Sequence, residues 1–236
     1  MRLALVTAAI LLVASTAQAA NPPPGLQPGD TYQRIFVTSF DARVVSFNDF
    51  PPEVGEFGSV VGGDWNVNRA AANAGLLPGW NGTDLPWKAI LSDSTTDARD
   101  HISVLGRVYN MNNELVATSA ADLWDGTLLH AIRYDEFGVA VANETRVWSG
   151  TNGLGESIPG QNALNWHDPN NNTAVIGAPL STTSDWIASY YLFSNTANRL
   201  YGISPVLTVP APEPSSFILM GMGAVGLLLA AIRKRG

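Results

Sequence analysis

Arg34-Ile35-Phe36-Val37-Thr38-Ser39 is a short β-branched and aromatic run with polar boundaries, and it reads as a strand. Trp87-Lys88-Ala89-Ile90-Leu91 has the same character. Between them Asp64–Ala74 predicts a helix, with Asp64 as N-cap, Ala70-Ala71-Ala72 in its interior and Gly75 as its stop. Asp97–Ile102 predicts a short helix, and Ala120–Trp124 another, closed by an Asp125-Gly126 turn. From Val147 onward Gly, Asn, Pro and Thr crowd together, which predicts long loops laid over a small sheet. Helix and strand mix without βαβ alternation or an internal repeat, so the class is α+β in a single domain. Trp87 and Trp148, set in apolar strand-like contexts, are expected core residues.

Composition narrows the function classes. The 236-residue chain has a formal charge of −7. Four of its 13 basic residues lie at the ends, so residues 20–216 hold nine Lys and Arg against 20 Asp and Glu, a net of −11. That surface repels nucleic acid and anionic headgroups. There is no cysteine, which excludes disulfides, thiolate metal sites and a Cys nucleophile. Stability must come from a core to which seven Trp, eight Phe and six Tyr contribute.

The two ends read as export signals. Met1-Arg2, the apolar run Leu3–Val13 and Ala17-Gln18-Ala19 predict a signal peptide over residues 1–20. Residues 21–31, rich in Pro and Gly, read as a flexible lead-in to a domain over 32–204. A Pro-rich linker over 205–216 ends in Pro212-Glu213-Pro214-Ser215-Ser216. The apolar run Phe217–Ile232 and the basic stop Arg233-Lys234-Arg235 follow, a transmembrane helix with its tail over 217–236. Such a helix spans about 24 Å, and snorkelling basic residues cover the shortfall against the bilayer core. Gly221-Met222-Gly223-Ala224-Val225-Gly226 fits a dinucleotide fingerprint by letter, but it lies inside this apolar run and is no nucleotide site.

Two resemblances sharpen the reading. The order Pro-Glu-Pro, short apolar helix, basic end resembles the PEP-CTERM sorting signal of Gram-negative bacteria. It implies that Pro212, Glu213 and Pro214 are recognised by an exosortase, and that the precursor passes from the cytoplasmic membrane to the surface or extracellular matrix, near exopolysaccharide. The second resemblance spans the domain. Gly63-Asp64-Trp65, Ala70-Ala71, Gly75-Leu76 and Trp87-Lys88-Ala89-Ile90-Leu91-Ser92 look like the endostatin-like domain, as do Val108-Tyr109-Asn110, Ala121-Asp122-Leu123-Trp124-Asp125-Gly126 and Val147-Trp148-Ser149-Gly150-Thr151-Asn152-Gly153. Asn165-Trp166 and Leu200-Tyr201-Gly202-Ile203 complete the series. The resemblance implies a C-type-lectin-like fold in which Arg34–Ser39 pairs with Leu200–Ser204. It also implies cysteines at Val67, Ala163, about Ser194 and Gly202, all replaced here. The family's zinc and heparin binding do not carry over, because the N-terminus lacks histidine and the domain is acidic.

The remaining constellations read as structural. His101, His130 and His167 lack metal-ligand spacing, and no G-x-S-x-G elbow is present. Asp93, Asp97 and Asp100 surround Arg99 and read as solvated or capping acids. Asn165–Asn172 contains a Trp-His-Asp-Pro stretch reminiscent of a lectin calcium loop, yet reads as an Asn/Asp/Pro turn. Sequons fall at Asn81, Asn143 and Asn171. The expectation is a non-catalytic exported module without a cofactor, binding glycan or protein through residues 148–185. A purely structural matrix protein and a glycan-directed hydrolase are the alternatives.

Overall fold

A computed structural model describes residues 21–43, 59–167 and 172–211. The expected signal peptide, the sorting residues Pro212–Pro214 and the helix with its basic stop all lie outside the described residues. Among the described residues no helix is long and apolar enough to cross a membrane. Helices and sheets are mixed, in keeping with the expected class.

Strand β1 (Thr31–Val37) organises the molecule. Its alternate side chains feed two cores, Ile35 and Val37 on one face and Phe36 on the other. Burial on both faces is why this strand reads as an unbroken apolar run. On one edge β1 pairs in parallel with β4 (Arg107–Asn110), and β5 (Leu115–Ala117) extends the sheet beyond it. On the other edge it pairs antiparallel with β10 (Tyr201–Ile203), in the register Ile35↔Ile203, Phe36↔Gly202 and Val37↔Tyr201. The expected pairing of Arg34–Ser39 with Leu200–Ser204 is therefore present, over Ile35–Val37 and Tyr201–Ile203. Beyond β10 lies β3 (Lys88–Ala89).

Helix α1 runs over Val60–Asn73, four residues earlier than expected. Its N-cap is Ser59, whose Oγ accepts from Val61 N, and not Asp64, which sits inside the helix. The early start follows from packing. A Cβ on Gly63 would stand 2.3 Å from Leu91 Cδ1 and 2.9 Å from Ala89 Cβ, so only glycine lets α1 lie this close to β3. Val67, Ala70 and Ala71 then meet Phe36, Trp87, Leu91, Trp148 and Leu200 in one core. Trp87 and Trp148 are both buried there, as expected. Ile90, Val108, Trp186, Tyr201 and Ile203 belong to the core on the opposite face. The four positions at which the endostatin resemblance expects cysteine are all buried, and a Cβ on Gly202 would lie 3.0 Å from Val67 Cβ.

The short helices fall where expected, α2 over Ala98–His101 and α3 over Ala120–Leu123. The stretch after Val147 is more regular than the expected loops. It forms a second sheet in the order β6 (Val147–Trp148), β7 (Thr173–Gly177), β8 (Tyr190–Phe193). A minor ladder joins β2 (Ala42–Arg43) to β9 (Ala197–Asn198).

The domain also extends past its expected end at residue 204. Pro205 has no N–H to continue β10. Ser204 fills the gap, its N–H donating to Arg34 O and its Oγ accepting from Arg34 N. The chain then resumes as β11 (Leu207–Thr208) against Thr31 and Tyr32. Gly29 N donates to Val209 O and Val209 N to Asp30 O, so the lead-in and the start of the Pro-rich segment are bonded together.

Candidate functional site

Asp64 is 1% exposed and accepts three hydrogen bonds of 2.8 Å, from Ala89 N, Lys88 Nζ and His101 Nε2. A carboxylate only accepts, so His101 carries its hydrogen on Nε2. The arrangement ties α1 to β3 and α2. It gives His101 a structural partner that its sequence position did not reveal. His130 and His167 are exposed and contact backbone carbonyls of Leu115 and Asn165.

The acidic cluster is engaged locally. Asp93 Oδ1 accepts from Thr95 N, Thr95 Oγ1 and Thr96 N within its own turn. Asp97 Oδ1 accepts from Ser157 N, and Arg99 bridges Asp97 and Glu156. Among the described residues no group of three His, Cys, Asp or Glu could hold a metal ion. Asn165 Oδ1 accepts from Ser94 N, so this oxygen fixes a loop, while residues 168–171 of the expected turn are outside the described set.

The loop-rich half contains a feature that only Asn162 and Asn165 mark in the local sequence. Ala163, Leu164, Asn165 and Trp166 have φ of 50°, 51°, 60° and 66°, one left-handed turn of non-glycine residues. Such a backbone costs about 1–2 kcal/mol per residue. It is held by Trp166 N donating to Asn162 O and Asn165 N donating to Asn162 Oδ1. Buried Trp166 adds a bond from Nε1 to Ser92 O and edge contact with Trp148 at 6.0 Å.

β7 and β8 form the accessible edge of this half. Pairing Ala174↔Leu192 and Ile176↔Tyr190 puts those side chains on one sheet face, where Ala174, Ile176 and Leu192 join the core of Trp148 and Trp166. Thr173, Val175, Tyr191 and Phe193 take the other face. Tyr191 is 56% and Phe193 58% exposed, two residues apart on one face of an edge strand. Tyr190 is also exposed, its hydroxyl accepting from Arg146 Nε at 2.6 Å. Exposed aromatic side chains on an open strand edge offer flat apolar faces for stacking, beside unpaired backbone groups. They lie just beyond the expected binding stretch 148–185. The run Tyr-Tyr-Leu-Phe was the available signal.

The described chain leaves the domain at Val209, Pro210 and Ala211, next to the lead-in. Compared with the curated proteins, the chain has no match. Residues 210–235 match the model of the PEP-CTERM protein-sorting motif, and this implies an exported protein, anchored in the membrane before exosortase processing and then delivered to the cell surface.

Proposed function

We propose that this chain is a non-catalytic surface module that binds a glycan of the surrounding exopolysaccharide through the aromatic edge Tyr190–Phe193. The observation that carries the reading is the exposed pair Tyr191 and Phe193 on the outer face of an edge strand. Pyranose rings present flat C–H faces that stack on such side chains, and neutral stacking suits a domain whose net charge would repel polyanions. Pro212, Glu213 and Pro214 would be read by the exosortase, with Arg233, Lys234 and Arg235 holding the precursor at the cytoplasmic side.

The same proposal takes the domain as endostatin-like with a C-type-lectin-like fold. Two features support this: antiparallel pairing of β1 with β10, and the approach of position 202 to Val67, two of the positions where that resemblance expects cysteines. The non-catalytic reading is supported by the engagement of Asp64, Asp93 and Asp97 in structural hydrogen bonds.

The test is a glycan array probed with the exported protein and its Tyr191→Ala/Phe193→Ala variant. Saturable binding to one polymer class, weakened about tenfold or more in the variant, is the expected result. Binding unaffected by the variant would move the ligand elsewhere, and no binding to any glycan would favour a structural matrix role.

A further inference from the structure

A cavity of about 430 Å³ lies where the two ends of the domain meet, lined by Arg34, Leu76, Leu77, Trp87, Leu207 and Pro210 among others. Its size falls within the range of small-molecule sites, about 300–1,000 Å³. The wall is mostly apolar, with Asn21, Tyr32 and Thr208 as its polar members and Arg34 as its one charged side chain. Arg34 is 3% exposed and has no carboxylate partner among the described residues. Its Nη1 donates to Asn110 O and its Nη2 to Asn21 O, both neutral carbonyls, while Nε has no hydrogen-bond partner among the described residues. The Tyr32 ring lies 5.6 Å from the guanidinium carbon. Burial pulls the Arg34 pKa below its usual value, and Tyr32 and Tyr109 offset part of that.

A buried charge without a counter-charge is costly, and a side chain of this kind is commonly paired. The domain has a large excess of acids, yet none of the described ones is placed here.

We propose that this cavity binds a carboxylate carried on an apolar body, of the fatty-acid class, with the carboxylate on Arg34 and the hydrocarbon against Leu77, Trp87 and Leu207. One guanidinium neutralises one negative charge. A phosphate dianion would bring a second charge into a domain of net −11, so a monoanion is the better match. The location agrees with the chemistry, because Pro210 both lines the cavity and begins the sorting-motif match, so the cavity lies at the end of the domain from which the chain continues into the sorting segment. The site is separate from the aromatic edge and does not depend on glycan binding.

The experiment titrates the exported protein, purified from its host, with decanoate and with decanol. Tryptophan fluorescence reads binding, since Trp87 is part of the wall, and Tm provides a second readout. Decanoate should bind saturably and raise Tm, and decanol should bind about tenfold or more weakly. Arg34→Met should remove the preference for the acid, and Leu77→Trp should abolish binding by filling the cavity with Arg34 intact. The proposal is overturned by absence of saturable decanoate binding, by decanol binding as tightly as decanoate, or by unchanged affinity in Leu77→Trp. The acid-against-alcohol comparison in the unaltered protein decides the matter even if Arg34→Met does not fold.

Discussion

Replacing Asp64 with alanine takes away the acceptor of three donors while leaving those donors in place. Ala89 N is buried in β3 and has no water to turn to, which costs about 1–3 kcal/mol. His101 is mostly buried and loses its 2.8 Å partner, whereas the Lys88 side chain is 38% exposed and its ammonium returns to solvent at small cost. Together these come to about 3–4 kcal/mol, in line with breaking a buried charged contact from one side. For a domain of this size that corresponds to a fall in Tm of about 10 °C. Asp64→Asn keeps an oxygen for Ala89 N but turns an amide donor toward Lys88 or His101, so about half the fall is expected. Thermal unfolding followed by circular dichroism measures both variants. An Asp64→Ala protein melting within about 2 °C of the parent would refute the idea that this carboxylate holds α1 onto the sheet.

Glu213→Ala should leave full-length protein in the cytoplasmic membrane, while mass spectrometry of surface-released parent protein should find no peptide beyond Phe217; abundant peptides from Gly221–Arg233 would contradict processing. In hydrogen exchange the amides of Ile35–Val37 and Tyr201–Ile203 should be among the slowest, because β10 is flanked by β1 and β3; exchange of Tyr201–Ile203 as fast as the Pro-rich segment would contradict that. Trp87→Ala should cost about 3–5 kcal/mol, read as a lowered denaturation midpoint. Val67→Cys/Gly202→Cys should oxidise to a disulfide on export, closing a loop of about 135 residues for up to about 5 kcal/mol, less what it costs to spread a 3.0 Å Cβ spacing and move the Phe36 ring. Thiols still free after export would show that the two positions do not face each other.

The legible parts of the fold were those whose side chains meet the core directly. Ile35-Phe36-Val37 declares itself because both faces are buried, and Trp87 and Trp148 because aromatic residues in apolar runs have few other places to go. The start of α1 was hidden because Val60-Val61-Gly62-Gly63 has poor helix propensity, and close packing on Ala89 and Leu91 overrides it. β11 was hidden between Pro205 and Pro210, which read as linker, although an edge strand tolerates flanking proline. The left-handed turn depends on Ser92 and Ser94, some seventy positions away, and only Asn162 and Asn165 mark it locally. The aromatic edge was in plain view as Tyr190–Phe193, but its meaning needs the pairing that turns Tyr191 and Phe193 outward. Arg34 was legible as part of a strand, while the lack of a partner acid among the described residues shows only in the folded chain.

The clasp between the two ends of the domain has a mechanical side. Any drag on a protein held by its C-terminal tail enters through Val209 and β11, whose small cluster with Tyr32 and Tyr109 is distinct from the two main cores. β11 is antiparallel to β1 and is loaded from its free end, so the bonds at Val209, Thr208 and Leu207 open one after another, like a zip fastener. Peeling stops at Pro205, where the ladder is already interrupted and Ser204 anchors the chain on Arg34. Only then does tension reach β10, with neighbours on both sides. A short segment can thus lengthen and re-form under shear while the aromatic edge keeps its shape.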